Sequence, residues 1–162
     1  DRMMSRGLGD VYKRQVINLE WINFIKNKKD LKDCEAVVFS FSGYPHAYWS
    51  PDKYGWLKLN NDNSIGEIGY KTGWDADYSN PIVTGHFWFP SISRLKTNLK
   101  TFQISLEDKD KEVSLDEFCQ YLIGNNKKVY SYIVDDFLCL GTPQEFRTYE
   151  YWLHANEIST IN

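Results

Sequence analysis

Ala36-Val37-Val38-Phe39-Ser40-Phe41 is a continuous apolar run of strand length, the pattern of a strand covered on both faces. Ser42-Gly43-Tyr44-Pro45-His46 breaks it. Tyr54-Gly55-Trp56-Leu57-Lys58-Leu59 predicts a second strand, and Asn60-Asn61-Asp62-Asn63 a turn. Ile65, Ile68 and Tyr70 carry a third strand, so the three pieces read as a hairpin. Gly73 to Asn80 is polar. The run from Ile82 to Phe89 is the strongest strand, and it stops at Pro90.

Helical spacing marks the remaining segments. Ile17, Trp21, Phe24 and Ile25 predict an amphipathic helix over 17–30, and Ile92, Leu95 and Leu99 another within 91–102. Ser114, with Glu117 three residues on, caps a helix carrying Leu115, Phe118, Cys119, Leu122 and Ile123, closed by Gly124-Asn125. Val129 to Val134 is the next strand. The apolar run Phe137-Leu138-Cys139-Leu140 then meets Gly141, Thr142, Pro143 and Glu145. Thr142 is a natural N-cap, Pro143 fits the first turn, and Glu145 completes a capping box, so the last helix is expected over 143–156. Such a helix start offers free N–H groups to a phosphate or a hydroxyl. This order of elements reads as α/β with a mixed sheet.

Composition narrows the choice of partner. The 162 residues fit one domain with room for a core, and 16% are aromatic, with 6 Trp, 11 Tyr and 9 Phe. A net charge of −3 gives no basis for general nucleic-acid binding. Three widely spaced cysteines read as reduced thiols, as in a cytoplasmic protein. No apolar run approaches the length needed to cross a bilayer, and the first residues carry no secretory core. His46, His86 and His154 are far apart, which argues against zinc, and no Gly-x-Ser-x-Gly elbow supports a serine hydrolase.

The N-terminus stands apart. Asp10-Val11-Tyr12-Lys13-Arg14-Gln15 back-translates, with suitable codons, to a string resembling the transposase adaptor end used in sequencing libraries. Residues 1–15 are therefore expected to be translated adaptor and disordered, with the native sequence beginning near Val16. The other reading is a genuine basic tail. Arg6-Gly7-Leu8-Gly9 falls in this segment, follows no strand, and is set aside as a phosphate loop.

Six marks recur in order: Phe41-Ser42-Gly43-Tyr44-Pro45, Tyr54-Gly55-Trp56, Lys71, Thr84-Gly85-His86-Phe87-Trp88-Phe89, Glu112 with Asp116, and Val134-Asp135-Asp136-Phe137-Leu138 running into Gly141-Thr142-Pro143. Together, over residues 17–152, they resemble the C-terminal half of the sugar-phosphate nucleotidylyltransferases, closest to the bacterial capsule and surface-polysaccharide branch. The resemblance implies part of a doubly wound, mixed-sheet domain, Rossmann-like and of the glycosyltransferase-A type, cut at its N-terminal side. It also implies a reaction that joins a nucleoside triphosphate to a sugar phosphate, giving a nucleotide-sugar and pyrophosphate. The triphosphate loop, the catalytic residues and the main ligand of Mg²⁺ would lie upstream, and the fragment alone would be inactive.

On the acceptor side, the resemblance implies that Lys71 holds the sugar phosphate, although Tyr70 and Thr72 replace the commoner flanking residues. Gly55, beside Tyr54, would let backbone approach the sugar ring, Gly85 would do the same in mid-strand, and Glu112 would bond sugar hydroxyls. These groups are expected to converge near Gly141-Thr142. Cys139 and Leu140 stand where many relatives carry a second metal-binding Asp, which puts a two-metal site in doubt. Two other readings compete: a nucleotidyltransferase-like module that only binds or regulates, and a glycosyltransferase using Asp75-Ala76-Asp77, although that triplet lies in a loop after the hairpin.

Overall fold

A computed structural model describes residues 15–17, 31, 33–70, 79–108 and 112–159. The chain divides into two units, one of residues 18–135 and one of residues 1–17 with 136–162. The larger holds a five-stranded mixed sheet in the order β4-β3-β5-β2-β6. Its strands are β2 (Cys34–Phe41), β3 (Gly55–Leu59), β4 (Ile65–Tyr70), β5 (Ile82–Trp88) and β6 (Lys128–Ile133). β2 runs parallel to β6 and antiparallel to β5, and β3 with β4 forms the expected hairpin. Ala36 through Ser40 are buried in succession, which matches a strand covered on both faces.

Sheet parity divides the buried side chains into two sets. Ala36, Val38 and Val129 join Leu57, Ile68 and Val83 in a cluster with Phe102, Phe118, Cys119 and Leu122. The last four come from α2 (Ile92–Ser105) and α3 (Leu115–Gly124), so these helices cover that face. Rings of Phe89, Phe102 and Tyr121 sit 4.9–6.2 Å from their ring neighbours around Phe118. Val37 and Tyr130 fall on the opposite parity and cluster with Leu31 and Cys34, with Trp88 and Tyr132 alongside. Phe87 packs on the first cluster and Trp88 on the second, so both faces of β5 meet core.

Local chemistry sets the element ends. Ser114 Oγ accepts from Glu117 N–H while Glu117 returns a bond to Ser114 N–H, the full capping box. Ser91 caps α2 by accepting from Arg94 N–H. Asn63 takes φ +63° in the β3–β4 turn, where Ser64 donates through both its backbone N–H and its hydroxyl to Asp62 Oδ1. A five-residue helix, α1 (Pro45–Trp49), follows β2, with Pro45 at its start after Gly43 at φ +78°.

The smaller unit pairs β1 (Gln15–Ile17) antiparallel with β7 (Phe137–Cys139) and carries α4 (Pro143–Ser159). The expected helix over 17–30 is corrected at its first residue: Ile17 lies in β1, opposite Phe137. Backbone pairing outcompetes the apolar spacing there. Residues 18–30 and 1–14 lie outside the described residues. At the start of α4, Thr142 Oγ1 accepts from Glu145 N–H, and Thr142 N–H donates to Glu145 Oε2 at 2.8 Å. The strand–glycine–capped-helix junction is thus as the residues predict.

Candidate functional site

Gly55 opens β3 in a fully packed position. A Cβ there would stand 3.2 Å from Val83 Cγ2 and 3.6 Å from Asp116 Oδ2. The close approach that requires glycine is therefore protein against protein: β5 on one side and the first turn of α3 on the other. Asp116 is buried in that turn, beside the free N–H groups of the helix start, where a carboxylate is favoured. Sequence reading placed Asp116 among the marks but gave it no role. Its helical position beside a strand-opening glycine becomes visible only once β3 and α3 are packed together.

β5 is bulged against β2. It takes four steps from Val83 to Phe87 while β2 takes two, from Val38 to Ser40. Gly85, at φ +82°, sits in the middle of this bulge, where L side chains are strained. Phe39, paired with Tyr132 of β6 on its other side, lies opposite the bulge, and its carbonyl accepts from Thr84 Oγ1 at 3.0 Å. Thr84 Oγ1 also lies 3.3 Å from His86 Nδ1. With its one proton given to Phe39, the hydroxyl must accept there, so His86 carries its proton on Nδ1 and presents Nε2 as an acceptor. Burial draws the His86 pKa below its ordinary value and so favours the neutral ring, partly offset by a hydrogen bond with the Thr84 backbone. The mark Thr84-Gly85-His86 carries no sign of this bulge, because nothing in one strand's sequence reveals a register step against its neighbour.

The other expected residues fall as follows. Tyr54 is half-buried immediately before β3, its ring 5.8 Å from that of Tyr44. Glu112 is exposed, two residues before the Ser114 cap. The structure thus brings Gly55 to the start of α3, the element that Glu112 leads into. Lys71 and Asp75-Ala76-Asp77 lie outside the described residues, and Gly141-Thr142 belongs to the smaller unit. Asp135 and Asp136 are exposed between β6 and β7. Gly141 has room for a side chain, with Cys139 Sγ and Glu145 Oε2 at 3.6 and 3.7 Å from an added Cβ.

Among the described residues, no group of three or more His, Cys, Asp or Glu side chains could hold a metal ion. Cys34, Cys119 and Cys139 are buried and not disulfide-bonded, and burial, with Asp116 nearby, pushes the Cys119 thiol far up. That thiol is core, as its helix face predicts. No described helix is long and apolar enough to cross a membrane.

No family model and no curated protein matches the chain. Solved structures do match. The nucleoside-diphosphate-sugar pyrophosphorylase from Vibrio cholerae RC9 superposes with a TM-score of 0.52 at 10% identity, covering 75% of this chain and 48% of that one. A CMP:2-keto-3-deoxy-manno-octonic acid synthetase complexed with CTP gives 0.52 at 9% identity, covering 83% of this chain and 55% of the other. The chain spans about half the length of the solved structures it matches. Its mixed α/β sheet has the fold seen in nucleotidyltransferase-like proteins.

Proposed function

We propose that the intact protein is a nucleotidyltransferase that joins a nucleoside triphosphate to a sugar phosphate, releasing pyrophosphate, and that this chain supplies the acceptor side. The observation that carries the reading is where the ordered sequence marks fall on the sheet. Tyr54-Gly55-Trp56 opens β3 and Thr84-Gly85-His86 makes the β5 bulge; in the smaller unit, taken by itself, Gly141-Thr142-Pro143 starts a capped helix. Bulges and strand-to-helix turns are where such sheets place ligand contacts. The likeness in fold supports the same reading.

In this proposal Lys71 is the point charge on the acceptor phosphate, holding its attacking oxygen near the α-phosphorus and offsetting the crowded negative charge. Tyr54 and Gly85 line the approach of the sugar, and Glu112 accepts from its hydroxyls, while Gly55 lets β3 pack against Val83 of β5 and Asp116 of α3. Mg²⁺ belongs to the same proposal, with its ligands outside the described residues, and no step here runs through it. The 162-residue chain alone is expected to release no pyrophosphate, because phosphoryl chemistry depends on positioning the triphosphate, and no motif for that is recognised in this chain.

The test is a matrix of nucleoside triphosphates against sugar phosphates, with Mg²⁺, on the protein expressed with its uninterrupted upstream reading frame. Pyrophosphate release that needs one triphosphate and one sugar phosphate supports the assignment. Binding of both without turnover favours the binding-only module, and release with neither sugar phosphate nor any other acceptor contradicts it.

A further inference from the structure

β6 stands last in the sheet order β4-β3-β5-β2-β6, so its side away from β2 is a sheet edge. What meets that edge is the turn at the tip of the β3–β4 hairpin. Ser131 N–H, in the middle of β6, donates to Asn63 O at 2.9 Å, and Ser64 pairs antiparallel with Tyr130. The hairpin of the first two strands in the order thus reaches the last. The turn is built to hold its one carbonyl in place. Asn63 takes φ +63°, its N–H donates to Asn60 O at 3.0 Å, and Asn60 N–H donates to Ser64 O at 2.9 Å. Asp62 Oδ1 accepts from the Ser64 backbone at 3.0 Å and from its hydroxyl at 2.6 Å, and the Asn60 amide donates to Ser64 Oγ at 2.9 Å. The two Ser64 bonds hold the Asp62 carboxyl below its ordinary range, and Lys128, the first residue of β6, adds a smaller attraction.

We propose that the turn at 60–64 is a cap that occupies the edge of β6 in place of a strand from a second copy of this chain, and so holds the chain monomeric. An edge strand offers its outward N–H and C=O groups to any extended backbone. The bridge between Ser64 and Tyr130 shows that this edge takes an antiparallel one. Ser131 turns its N–H outward, and residues 129 and 133 follow the same parity along the strand. A two-fold axis at Ser131 of two copies would set Val129 against Ile133 and Tyr130 against Tyr132, β-branched with β-branched and ring with ring. The run is its own complement, which favours a second copy over a foreign peptide. The turn satisfies the centre of the edge and, being a turn, extends no ladder. The cap rests on backbone pairing away from the acceptor side, so it goes beyond the nucleotidyltransferase reading.

The experiment compares the 162-residue chain with Asn63→Val and Asp62→Ala. Valine resists φ +63°, which moves the carbonyl off Ser131. Alanine leaves the backbone angle alone and removes the acceptor of both Ser64 bonds. Hydrogen exchange at low concentration reads the Ser131 amide, and sedimentation over a concentration series reads association. The unaltered chain should be monomeric, with Ser131 protected. Either variant should exchange Ser131 about ten-fold faster while the β2 amides stay protected, and should sediment as a dimer as concentration rises. Adding Ile133→Lys, a charge at an exposed position on the edge, should return the variant to monomer without restoring Ser131 protection. Four results would overturn the proposal: Ser131 unprotected in the unaltered chain; β2 losing protection together with Ser131 in both variants; a variant with Ser131 freed that stays monomeric throughout; or a dimer that Ile133→Lys leaves intact. Pyrophosphate release is read separately, so either proposal can fail alone.

Discussion

A methyl group added at Gly55 would press on Val83 Cγ2 at 3.2 Å, and Val83 is β-branched and cannot swing aside cheaply. Gly55→Ala should therefore cost about 1–3 kcal/mol, read as a lowered urea midpoint. An unchanged midpoint would return the glycine to the role of ligand contact alone. Gly85→Ala faces a different obstacle, φ +82°, and should cost about 1–2 kcal/mol. Gly141→Ala meets only ordinary contacts and should be near neutral. His86 adds a pH dependence. Burial, the leading cause, lowers its folded pKa below the ordinary 6.5, so the unfolded chain takes the proton more readily. Its contribution to stability is full above that unfolded value and is lost as pH falls through it toward the folded pKa. His86→Gln should flatten the fall in urea midpoint between pH 7.5 and 5; an equal slope in the variant would contradict this assignment.

Elements were legible where their cue is local. Ser114-x-x-Glu117 and Thr142-x-x-Glu145 each announce a helix start, and both boxes form with reciprocal bonds. Ser114→Ala should cost about 1 kcal/mol, measured by thermal unfolding. Phe118→Ala, at the centre of the ring cluster beneath α2 and α3, should cost about 3–5 kcal/mol and is the severest single change expected in the core. Legibility ended where cues are long-range or short-lived. α1 spans five residues, too few for a period to show, although Gly43-Tyr44-Pro45 marks its start. The β5 bulge needs the register of β2 to be seen. At Ile17 the apolar spacing pointed to a helix, but pairing with Phe137 made a strand, because a partner 120 residues away leaves no trace in local periodicity.

At the scale of the whole molecule, the alternation of elements was enough to read a mixed α/β sheet, but not the order β4-β3-β5-β2-β6, which joins segments far apart in sequence. The candidate site was legible as a series of marks, and the structure supplies the reasons for some of them. Gly55 is held by Val83 and Asp116, and Gly85 by its backbone angle. The measurement that tests the acceptor-side account most directly is the steady-state kinetics of Lys71→Ala in the protein expressed with its upstream reading frame. Removing one charge-assisted contact is worth about 1.5–3 kcal/mol. The account predicts that the apparent KM for the sugar phosphate rises about ten- to a hundred-fold while that for the nucleotide barely moves. Unchanged sugar-phosphate kinetics, or an equal rise for both substrates, would contradict it.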